Sequence, residues 1–147
     1  MPIPFILPPL AAWALKVVFG AAAIKTIVWS GMRFVQHGLD LKATREQLRK
    51  DVSYGHLLAH DAAALLRSLR GLQKAKTFTD VHDAAKAINT ALAHLPAVTR
   101  TGLNNSVGLE AKIDLVLADA LTEIDPALLA EMRAKAPESI LSQLAES

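Results

Sequence analysis

The chain has 147 residues, of which 52% are apolar and only 5% aromatic, enough for one domain and one appended element. It contains no cysteine, which excludes disulfide frameworks, thiolate metal sites and cysteine nucleophiles together. Its formal charge of +2 is too small to argue for nucleic acid, but it conceals a dipole: residues 33–100 hold 11 basic and 6 acidic residues, residues 101–147 hold 3 and 8.

Pro2, Pro4, Pro8 and Pro9 keep the start extended, and Pro9 suits the first position of a helix. The stretch from Pro8, "PPLAAWALKVVFGAAAIKTIVWSGMRFV", then has no strong breaker before His37-Gly38. Leu10 to Val35 is expected as one helix of about 26 residues, or roughly 39 Å, longer than the roughly 30 Å hydrocarbon core of a bilayer. The expected element is a single transmembrane helix. Lys16 and Lys25 make it marginal as a lone span, because a mid-membrane lysine costs about 2.5–3.5 kcal/mol while each large aliphatic or Phe residue returns about 0.3–0.6. Nine residues at about 100° each set the two lysines on opposite faces, which argues against an in-plane helix and equally against a soluble core helix.

Ala22, Thr26 and Ser30 form a small-residue stripe on which a second membrane helix can pack. Lys16, Ala22, Lys25, Thr26 and Ser30 are therefore the expected membrane or oligomer contacts. Trp13, Trp29 and Arg33 are the expected interfacial residues. Arg33, Lys42, Arg45, Arg49 and Lys50 follow the span closely, which puts the C-terminal portion in the cytoplasm and near anionic lipid. A secretory signal would carry a positive n-region, and the first cation here lies inside the apolar run.

"LDLKATREQLRKDVSYGHLLAHDAAALLRSLRGLQ" reads as one long helix, with Leu41, Leu48, Gly55, Ala62 and Leu69 recurring every seven residues. Leu48, Val52, Gly55, Leu58, Leu65 and Leu69 are its expected packing residues, Gly55 permitting close approach of a neighbour. Gly71 and "KAKTFTD" supply a turn, with Thr77 or Thr79 as N-cap. A helix over about 80–95 ends at Pro96; "TRTGLNNSVG" reads as a polar loop; a helix comes next over about 107–124; Asp125-Pro126 restarts one or two short terminal helices. The fold class is all-α, an N-terminal span over 1–38 and a small amphipathic bundle over 39–147.

Chemistry is sparse. His56 and His60 stand one helical turn apart, a metal-ligand spacing, but the metalloprotease pattern needs Glu where Leu57 stands. Asp61 or His82 would complete a site only by folding nearby. No phosphate loop, nucleophile elbow or Ser/His/Asp arrangement occurs. No cofactor, nucleic acid or small-molecule substrate is expected. The expected role is structural: a membrane-anchored assembly protein, working as a homo-oligomer or as a small subunit of a larger membrane complex such as a virion or secretion apparatus. A pore-forming oligomer and a soluble helical adaptor with a buried N-terminal helix are the alternatives.

Overall fold

In the computed structural model, residues 31–122 are described, the side chains of Gly31, Phe78, Leu121 and Thr122 excepted. The expected span through Ser30 and the restart at Asp125 lie outside them. Among the described residues the protein is all-helical: α1 Gly31–Gln36, α2 Leu41–Ser53, α3 Ala59–Gln73, α4 Phe78–Ala93, α5 Ala97–Val107 and α6 Leu109–Thr122. None of these helices is long and apolar enough to cross a membrane.

Each boundary has a local cause. Asp40 caps α2, its carboxylate accepting from the amides of Lys42 at 2.9 Å and Ala43 at 3.2 Å. Thr77 caps α4, accepting from the Asp80 amide at 3.1 Å, and the Asp80 carboxylate reaches back to the Lys76 amide at 3.0 Å. This is close to the reciprocal pattern of a capping box.

The long helix expected over 39–73 is two helices. Gly55 has φ +79°, the His56 amide donates to the Asp51 carbonyl at 2.8 Å, and the Gly55 amide donates to Val52 at 3.1 Å. That pair of bonds is a Schellman stop with glycine at its left-handed position. Gly55 is thus a helix terminator at the surface, with nothing within 4 Å of where a Cβ would stand. The turn resets the phase of the next helix: Leu58 is 70% exposed and Leu57 is buried in its place. A heptad pattern carries one phase through a break that only the φ of Gly55 reveals. Leu48, Leu65 and Leu69 are buried, and Val52 packs partly buried against them.

Gly55→Ala should lower stability by about 1 kcal/mol, because the left-handed conformation costs a side chain about 1–2 kcal/mol. In an unbroken helix the same change would add about 1 kcal/mol. The sign in a denaturant titration decides between the two.

The segment expected as a polar loop is α5. Thr99 and Leu103, four residues apart, are fully buried, and Ser106 donates to the Gly102 carbonyl at 2.7 Å. Two inward positions one turn apart suffice for a helix whose other faces are polar. Gly108, at φ +59°, ends it, its amide donating to Asn104 at 3.1 Å. The most extensive pairing is the antiparallel hairpin of α3 and α4; α2 packs on α3 and α5, α6 on α4 and α5, and α1 on α3 and α6.

Candidate assembly interface

Three features of the bundle are candidates for a functional site. The first is the docking of α1. Phe34 is buried in the core, and the α1 terminus is closed by a second Schellman stop, with Gly38 at φ +75°, Leu39 donating to Phe34 at 3.0 Å and Gly38 to Val35 at 2.9 Å. His37 Nε2 hydrogen-bonds Asp119 of α6, and Arg33 pairs with the same carboxylate at 3.6 Å. Arg33, expected at the membrane interface, thus also fastens α1 to the last described helix. The partner was hidden in sequence because His37 and Asp119 are 82 positions apart.

The second is a polar node joining α5 to α6. Glu110 is buried in the first turn of α6, where the helix dipole favours its charge. One carboxylate oxygen receives Arg100 Nη2 at 2.6 Å and Nε at 3.1 Å; the other receives the Asn104 amide, whose carbonyl accepts from the Glu110 backbone at 3.2 Å. Asp114, one turn further on, has a buried Oδ1 with no hydrogen-bond partner among the described residues. Burial, and then the nearby Glu110 charge, push its carboxyl up to about 7. Asn104, in the stretch expected as a polar loop, belongs to this node.

The third is an open groove of about 910 Å³ along the α3–α4 hairpin. Its floor is Ala64, Ser68, Gly71, Ala84, Ala87 and Ala91. A Cβ built on Gly71 would meet the Ala84 methyl at 3.8 Å, so the two helices run close there. Asp61, Arg67 and Lys74 line the α3 bank; Asp80, Asp83 and Lys86 line the α4 bank. The sequence signal for this surface is the alanine richness of "AHDAAALLRSLRG", which gives α3 a second face of small residues beside its leucine stripe.

Lys16, Ala22, Lys25, Thr26, Ser30, Trp13 and Trp29 lie outside the described residues. His56 and His60 do not share a helix: His56 sits in the Gly55 turn and His60 in the first turn of α3. Among the described residues no three His, Asp or Glu side chains gather as metal ligands would. No protein-family model, curated protein or solved structure matches the chain.

Proposed function

We propose that this protein is a membrane-anchored helical assembly module, acting as a homo-oligomer or as a small subunit of a larger membrane complex, with its bundle on the cytoplasmic side. The observation that carries the reading is the docking of α1. Gly31–Gln36, at the end of the apolar stretch, is a helix held to the bundle by Phe34 and by Arg33 and His37 on Asp119. Leu10 to Ser30 alone supplies about 21 residues, about 31 Å as a helix, so the span does not need the last turn that the core uses. A bundle joined through a packed helix presents a fixed face to the bilayer. Lys42, Arg45 and Arg49, exposed along α2 just beyond the junction, would lie near anionic headgroups.

Full-length protein should remain in the membrane pellet after alkaline carbonate extraction, and removal of residues 1–30 should release a folded bundle. Removal of residues 1–38 should release a less stable one, since it takes Phe34 and His37 as well. Recovery of the full chain in the soluble fraction without detergent would overturn the reading.

A further inference from the structure

We infer that the bundle binds an internal water molecule between the last turn of α2 and the first turn of α5, held by the Asp51 carboxylate and the Thr99 hydroxyl. The site belongs to the bundle and stands whether or not the chain is tethered to a membrane.

Both side chains are buried without the partners that burial demands. Asp51 is 8% exposed and Thr99 0%, yet Asp51 Oδ2 and Thr99 Oγ1 have no hydrogen-bond partner among the described residues. Asp51 makes no ion pair there either. A buried carboxylate oxygen without a donor is costly, and folded proteins satisfy such atoms with protein groups or with ordered water.

The packing of α2 on α5 brings the two atoms to one place. These helices run antiparallel: Lys112 Cε lies 3.6 Å from where a Cβ would stand on Gly38, just before α2, and 3.6 Å from the same point on Gly108, just after α5. Between those ends, Gln47 Nε2 lies 3.5 Å from the Cβ position of Gly102. Asp51 is about one turn beyond Gln47 and Thr99 about one turn before Gly102, so the antiparallel run sets them at one height. Gln47 and Gly102 are half-buried at the rim of this contact, whereas Asp51 and Thr99 are buried. At about 100° per residue Asp51 is turned about 40° from Gln47 and Thr99 about 60° from Gly102, in each case to the core side. The two oxygens do not bond each other, and a polar pair facing across more than one hydrogen-bond length is bridged by water.

The surroundings suit water better than a cation. α5 starts after Pro96, which gives no side-chain cap, and its first backbone bond runs from the Arg100 amide to the Pro96 carbonyl at 3.1 Å. The amides of Ala97, Val98 and Thr99 therefore have no intrahelical acceptor, and the positive end of the helix dipole lies beside Asp51. That field favours the carboxylate as an anion and opposes a metal ion next to it. A water donates one proton to Asp51 Oδ2, accepts from the Thr99 hydroxyl, and keeps a lone pair for a first-turn amide. Those are the two to four polar partners that a buried water requires.

Oxygen-17 relaxation dispersion of the full chain in mild detergent counts long-lived internal waters. Thr99→Val, which keeps the side-chain shape and removes the hydroxyl, and Asp51→Leu should each lower the dispersion amplitude by that of one water. The double variant should lower it no further than either alone, because both side chains hold the same molecule. Cooperative thermal unfolding shows which variants fold, and Thr99→Val against wild type carries the test should Asp51→Leu fail to fold. Unchanged amplitude in either folded variant overturns the inference. So does a double variant that loses two waters, since each side chain would then hold its own. A bound cation overturns it as well: thermal unfolding of the wild-type chain, but not of Thr99→Val, would then move upward when sodium or potassium replaces tetramethylammonium at equal ionic strength.

Discussion

Leu65→Ala is expected to destabilise the bundle by about 2–5 kcal/mol, whereas Leu58→Ala, seven residues earlier on the same expected stripe, should change stability by less than about 0.5 kcal/mol. Leu65 has no exposed surface at all, so its truncation loses the transfer free energy of the removed carbons and leaves a cavity that the neighbours fill only partly. Leu58 is 70% exposed and serves α3 only as the residue before its first turn. Equilibrium unfolding in urea measures both. Equal effects would mean that the helix runs unbroken through Gly55 and that the two leucines share one buried face.

That contrast locates what was legible in the sequence. Helical character was readable throughout, because Val81, Ala84, Ala85, Ile88 and Leu92, or Leu109, Ile113, Val116 and Leu117, recur at three and four positions and all turn out buried. The Thr77 cap was readable for the same local reason. Gly55 was not, since glycine at a heptad position inside an apolar repeat gives the same letters whether it stands in the helix or ends it. What distinguishes the two is φ, fixed by the bonds that His56 and Gly55 make backward.

The error over 99–108 has a different origin. Asn, Ser, Thr and Gly compete with the helix through their own side-chain bonds, and in "TRTGLNNSVG" their number outweighs two apolar positions. Tertiary structure reverses the balance. Thr99 and Leu103 are buried, and Arg100 and Asn104, on the next face, converge on Glu110. That carboxylate lies ten positions beyond Arg100, across the Gly108 turn. No local rule supplies such a partner, and none supplied Asp119 for His37 and Arg33. The groove was half visible, because its small residues and charges are in the text while their union into two banks requires the register of α3 against α4.

The Glu110 node leads to the other large expected effect. Arg100→Met should cost about 3 kcal/mol near neutral pH, since it removes two charge-assisted bonds from a buried carboxylate. Asp114→Asn should act in the opposite direction, and its pH dependence is fixed in sign. The Asp114 carboxyl is raised from 3.8 to about 7, so the folded state binds its proton more tightly than the unfolded chain does. The associated stability is fully present below pH 4 and is lost as pH rises through about 7. Above pH 7 the wild-type protein therefore holds an ionised carboxylate beside Glu110, with Oδ1 buried and unpartnered among the described residues. Asp114→Asn removes that charge and should raise stability at pH 8 by about 1–2 kcal/mol, a value reduced from the full shift because the group is only partly buried and solvent screens it. At pH 4, where the wild-type carboxyl is already protonated in the folded state, the gain should vanish. Urea titrations of both variants across pH 4 to 8 check this, and a gain for Asp114→Asn that grows toward acid would show that Asp114 is stabilised as an anion.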